Sequence, residues 1–111
     1  MRTLHLTLSK KPFEVMVTGE KKEEFRKYTK WSESRLIDSR THINKKYDVI
    51  KFVNGYGNDK PYFICEFNGF TQVYKNTDIR EYSNGLKVDD IKLGDYIIYC
   101  GEIIEKGNIC G

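Results

Sequence analysis

The chain has 111 residues, 39% hydrophobic, 14% aromatic and 32% charged, with a formal net charge of +3. Aromatics at that level can fill one small core, so the composition excludes a disordered tract, and the length predicts a single domain over 1–111. No apolar run approaches the ~20 residues of a membrane span, and the start Met1-Arg2-Thr3-Leu4-His5 is too polar for a signal peptide, so a cytoplasmic protein with no membrane partner is expected.

Thr3 to Leu8 alternates apolar and polar residues with Leu4, Leu6 and Leu8 on one side, which predicts a half-buried strand. Lys10-Lys11-Pro12 breaks that pattern, and a short helix is predicted over Pro12–Thr18, with Pro12 in its first turn and Gly19 just past its end. Lys22 to Tyr28 reads as a strand with Lys22, Glu24, Arg26 and Tyr28 on one face and Glu23, Phe25 and Lys27 on the other. A second short helix is predicted from Trp31 to about Arg40, with Thr29 or Ser32 as its N-cap, and Thr41–Lys46 is polar and exposed.

Tyr47–Val53 and Tyr62–Val73 form a predicted hairpin, turned by Asn54-Gly55-Tyr56-Gly57-Asn58-Asp59 and opened by Pro61, with a bulge at Gly69. A polar span around Tyr82-Ser83-Asn84-Gly85 and the segment Val88–Leu93 lead through Gly94-Asp95 to an apolar strand, Tyr96–Cys100. Gly101 is expected to separate that strand from Ile103-Ile104, and Gly107-Asn108 to make a late turn. Five or six strands with two short helices predict an α+β fold, a small, strongly curved open β-barrel. Helices so few and short argue against a parallel βαβ architecture.

Charge is distributed unevenly. Residues 1–46 hold twelve Lys or Arg against six Asp or Glu, and residues 47–111 hold seven against ten, so one basic face is expected. The densest stretch runs from Gly19 to Trp31. Lys21 and Arg26 there can hold phosphate, and Glu24 can orient Arg26 or accept a proton. The alternative is a solvated strand face whose cross-strand ion pairs contribute under about 1 kcal/mol each. Tyr28, Trp31 and Tyr56 lie close to cations and can stack a base, although Trp31, the only tryptophan, also suits a core. Glu66 either joins Glu24 in a cleft or faces solvent. His5 and His42 stand alone, and Cys65, Cys100 and Cys110 have no metal-ligand spacing, so no metal is expected; Cys65 and Cys100 sit in apolar runs and read as core residues.

Gly19-Glu20-Lys21-Lys22-Glu23-Glu24-Phe25-Arg26 resembles the G-x-K-x-x-E-x-R signature of ASCH domains in the PUA-like superfamily. Lys11-Pro12-Phe13 resembles the approach to that signature. Tyr28-Thr29-Lys30-Trp31, Arg35-Leu36 and Phe52-Val53-Asn54-Gly55-Tyr56-Gly57 are similar to a phage and bacterial subgroup. The resemblance implies an open β-barrel with a charged cleft that binds RNA or a nucleotide; no cofactor is expected, and of the oligomeric states, which the sequence does not fix, a monomer is favoured. The candidate ligand-binding residues are Lys11, Lys21, Lys22, Glu24, Arg26, Tyr28, Trp31, Arg35 and Tyr56, among which the resemblance singles out Lys21, Glu24 and Arg26. Some relatives are hydrolases, which would make Lys21 and Glu24 catalytic, Lys21 as electrostatic stabiliser and Glu24 as general base. One such group cleaves N4-acetylcytidine, but Glu24 stands where its threonine nucleophile would be, so that activity is not expected. A non-catalytic protein-interaction module of phage or mobile-element origin is the remaining expectation.

Overall fold

The structure is a computed structural model that describes residues 1–109; Cys110 and Gly111 lie outside the described residues. In chain order the elements are β1 (Thr3–Thr7), α1 (Lys10–Val17), β2 (Glu23–Arg26), α2 (Lys30–Leu36), β3 (Val49–Val53), β4 (Tyr62–Gln72), β5 (Arg80–Glu81), β6 (Lys87–Val88) and β7 (Tyr96–Gly107). Five strands form one sheet in the order β1-β3-β4-β7-β2, and β5 and β6 form a separate hairpin. The fold is the expected α+β open half-barrel with two short helices. Its sheet is antiparallel except for β1 and β3, which run parallel in the register Thr3↔Val49 to Thr7↔Val53. The chain between them, carrying α1, β2 and α2, makes the crossover. The sheet as a whole is thus not a parallel βαβ architecture, and β1–β3 is its one parallel pair.

Leu4, Leu6 and Leu8 point inward as their alternation requires, and they meet Ile50, Phe52, Phe63, Cys65, Tyr96, Ile98 and Cys100 from the other strands. Each such aliphatic or aromatic side chain contributes about 1.5–3 kcal/mol by leaving water. Phe13 and Met16 bring α1 onto this core, with the Phe13 ring 5.5 Å from Phe63. α1 begins two residues earlier than predicted, because Lys10 and Lys11 complete its first turn ahead of Pro12. Gly19, at φ +86°, reverses the chain, a conformation that suits glycine.

α2 starts where Thr29 accepts a hydrogen bond from the Ser32 amide at 3.0 Å, but it stops at Leu36 rather than near Arg40. Ile37 is extended and bridges Asn44, and Lys45 donates to the Leu36 carbonyl, so residues 37–44 fold back as a turn instead of continuing the helix. The predicted strand Lys22–Tyr28 is likewise trimmed to Glu23–Arg26, since the Tyr28 amide turns away to Asp95.

β4 and β7 pair over their length with register shifts, one of them between Phe67 and Phe70, where the bulge at Gly69 was expected; Gly69 has φ +88°. β7 does not break at Gly101. A Cβ at that position would come within 2.9 Å of the Glu66 and Asn68 side chains, so glycine lets the long strand pass beneath them.

Candidate functional site

Lys21, Glu24 and Arg26 converge. The reversal at Gly19 returns the Lys21 amide to the Val15 carbonyl at 3.0 Å and turns the Lys21 side chain into the barrel, where it is 3% exposed. Its Nζ donates to Glu24 Oε1 at 3.2 Å, to the Glu23 carbonyl, and to the Met16 sulfur at 3.5 Å. An ammonium has three donors, so those of Lys21 are all engaged. Glu24, itself 6% exposed, accepts from Arg26 through Oε2, with Nε at 3.0 Å and Nη2 at 2.8 Å. Arg26 Nη2 also donates to the Thr7 carbonyl at 2.8 Å. Among the described residues Arg26 Nη1 has no protein acceptor, which leaves its two N–H donors unengaged.

Beside this triad a cleft of about 500 Å³ opens along the free edge of β2. Because the cleft follows an edge, residues from both faces of the strand line it, Phe25 and Lys27 as well as Glu24 and Arg26. Trp31 and the aliphatic Leu8, Leu86, Val88 and Ile91 form its apolar walls, and Ser9, Thr29 and Ser32 supply hydroxyls. Its size is that of pockets that enclose small molecules.

The cleft's charges are matched internally. Lys27 lies 3.1 Å from Asp95 and 3.3 Å from Asp90, and also donates to the Asp90 carbonyl. Burial works against the Lys27 ammonium, but the two carboxylates outweigh it and hold its pKa above the ordinary lysine value. Burial raises the Asp95 pKa, yet the amides of Lys92 and Tyr28 and the Lys27 ammonium more than compensate and hold it below the usual carboxylate value. Asp95 thus ties the approach to β7 to the end of β2.

The other expected ligand residues lie at varying distance from this cleft. Trp31 lines it at 48% exposure, a wall residue rather than the core anchor that was its alternative. Arg35 stacks on the Trp31 ring, 5.1 Å from its centroid. The hydroxyl of Tyr28 donates to Glu33 at 2.7 Å, which raises its pKa, and its ring stacks near Tyr96 outside the cleft lining. Lys11 sits by the turn of the β5–β6 hairpin, Lys22 lines a separate cleft of about 240 Å³ with Cys65 and Cys100, and Tyr56 stands 85% exposed on the β3–β4 turn. Glu66 faces outward and accepts the Glu102 amide at 3.0 Å, so it does not join Glu24.

Asp95, Lys27, Phe25 and the three hydroxyl residues were not among the expected ligand residues. The Gly94-Asp95 pair, a turn before a strongly apolar strand, was the available signal for Asp95. Cys65 and Cys100 are buried, and the interaction between the two thiols holds the Cys65 pKa down while it and burial push that of Cys100 up. No cluster of His, Cys, Asp or Glu among the described residues could hold a metal ion, and no helix among them is long and apolar enough to cross a membrane. No protein-family model matches the chain, and neither a curated protein nor a solved structure does.

Proposed function

We propose that the chain is a cytoplasmic binding module of the ASCH type that seats a nucleobase of RNA, or of a free nucleotide, in the cleft beside β2. The observation that carries this reading is the combination of an aromatic-walled cleft of about 500 Å³ with cations and carboxylates already paired to one another. A charge-matched cleft favours a neutral, flat, polar ring over a bare phosphate. A base stacks on Trp31 or Phe25 and exchanges hydrogen bonds with Ser9, Thr29, Ser32 and Arg26 Nη1. Lys21 is therefore a structural cation that holds Glu24, and Glu24 in turn aims the Arg26 guanidinium.

A hydrolase reading with Lys21 and Glu24 as the catalytic pair gains nothing from this geometry, because Lys21 and Glu24 bind each other and Glu24 also binds Arg26. A protein-interaction role has no observation of its own.

The experiment is a fluorescence titration of Trp31, the only tryptophan of the chain, with ribonucleosides and their 5′-monophosphates. The proposal expects a saturable change with at least one base and similar affinity for the nucleoside and its monophosphate. Absence of any saturable change across the set overturns it. Binding that requires the phosphate overturns the assignment of the cleft to the base.

A further inference from the structure

The basic half of the chain does not discharge into the cleft. Lys30, Arg35, Arg40, Lys45 and Lys46 lie on α2 and the turn that follows it, against only Glu33 and Asp38 in the same segment. Among the described residues none of these five cations forms an ion pair, whereas Lys21, Arg26 and Lys27 all do. The two carboxylates are otherwise engaged: Asp38 accepts the amides of Arg40 at 2.9 Å and Thr41 at 3.1 Å, and Glu33 accepts the Tyr28 hydroxyl.

Several contacts hold helix and turn as one plate. Lys45 Nζ donates to the Ser34 carbonyl at 2.7 Å, the Tyr47 hydroxyl donates to the Arg35 carbonyl, and Ile37 bridges Asn44. The plate meets the cleft at Trp31, whose ring lines the cleft and carries the Arg35 guanidinium on it.

We infer that this plate is a backbone subsite for single-stranded nucleic acid. The strand leaves the cleft past Trp31, and its phosphodiesters run over Arg35 toward Lys45, Lys46 and Arg40. The inference rests on the cleft being the base site and adds the path of the flanking chain. Guanidinium and indole stacked at the cleft's rim, followed by unpaired cations, match the alternation of base and phosphate along a strand. Each phosphate the plate neutralises releases counterions, so binding of the strand weakens with salt while binding of a lone nucleoside does not.

The experiment compares the wild-type protein with the variant Arg40→Glu/Lys46→Glu, both side chains being exposed and outside the cleft lining. A labelled single-stranded eight-nucleotide RNA, the DNA of the same sequence, a ribonucleoside, and anionic lipid vesicles are titrated over a salt series. Urea unfolding confirms that the variant is folded. The expected result is salt-dependent oligonucleotide binding that falls about tenfold or more in the variant, with a shallower salt slope and unchanged nucleoside affinity. The RNA and DNA arms identify which strand the plate takes.

Unchanged oligonucleotide affinity and slope in the variant overturn the plate and leave the cleft reading standing. Nucleoside binding that is absent while the oligonucleotide still binds overturns the cleft reading. Vesicle binding that matches or exceeds oligonucleotide binding overturns the nucleic-acid assignment of the plate in favour of a membrane surface.

Discussion

Arg26, on one edge strand of the sheet, donates to the carbonyl of Thr7, on the opposite edge strand, at 2.8 Å. β1 and β2 share no ladder, so this side-chain bond spans the seam that the open barrel leaves between them. Glu24 aims the guanidinium across the gap, and Lys21 holds Glu24 from below. The charged signature is thus a clasp for the barrel as well as one wall of the cleft.

Removing one partner from that clasp leaves a buried charge uncompensated. Glu24→Ala is expected to destabilise the fold by about 3–5 kcal/mol, since it strands Lys21 and half of Arg26. Arg26→Lys, which keeps the charge but loses the planar fork, costs about 1–3 kcal/mol. The pair Lys21→Met/Glu24→Gln is expected to cost less than the sum of its single changes, because it no longer leaves the buried Lys21 or Glu24 charge without the other. Urea unfolding of these variants and of Lys21→Met and Glu24→Gln alone measures the set, and additivity in the double variant would contradict the clasp.

Asp95 predicts an acid dependence. Its folded-state pKa lies below its unfolded value of about 3.9, so the carboxylate is bound more favourably by the fold than the acid is. Its contribution is complete above that unfolded value and is lost as pH falls through the lower folded one. Asp95→Asn is expected to lower stability at neutral pH by about 1–3 kcal/mol through the Tyr28 and Lys92 amides, and by less at pH ~3. Denaturant unfolding at the two pH values checks the convergence; a constant difference contradicts it.

Much of this architecture was legible as local pattern. Leu4, Leu6 and Leu8 alternate because one face is buried, and Gly19 and Gly69 mark a helix end and a bulge through their backbone freedom. Position along β7 was not legible: Gly101 punctuates the sequence yet lies mid-strand, because the feature that needs it is the crossing of Glu66 and Asn68 from the neighbouring strand. The early end of α2 and the parallel pairing of β1 with β3 also depend on partners distant in the chain.

For the site, the same limit applies to roles rather than residues. Lys21, Glu24 and Arg26 could be picked out by type and spacing, but only their tertiary placement reveals that they are buried and mutually paired. Asp95 comes from the other end of the chain and carries no periodic signal.

Gly107 offers a packing test. A Cβ there would overlap the Tyr62 ring, which also receives Lys51 Nζ at 4.4 Å and donates its hydroxyl to Glu105 at 2.6 Å. Gly107→Ala is expected to cost about 1–3 kcal/mol by forcing that ring aside. Most of the cost is expected to vanish in a Tyr62→Ala background, as a double-mutant cycle by urea unfolding would read.

Tyr96 gives a prediction of the opposite sign. Its hydroxyl is buried without a hydrogen-bond partner among the described residues, while its ring packs against Tyr28 and Phe70. Tyr96→Phe keeps the ring contacts and removes the unsatisfied group, so stability is expected to hold or rise by about 1 kcal/mol in thermal or urea unfolding. A loss of comparable size would mean that the hydroxyl has a partner.

The location of the ligand tests the account most directly, and an amide and indole chemical-shift titration of isotope-labelled protein with a ribonucleoside that binds reads it. The account predicts saturable shifts at Ser9, Phe25, Thr29, Ser32 and the Trp31 indole, with the Tyr56 turn and the Cys65–Cys100 cleft unmoved. Shifts confined to either of those other regions, with the Trp31 cleft silent, would contradict it.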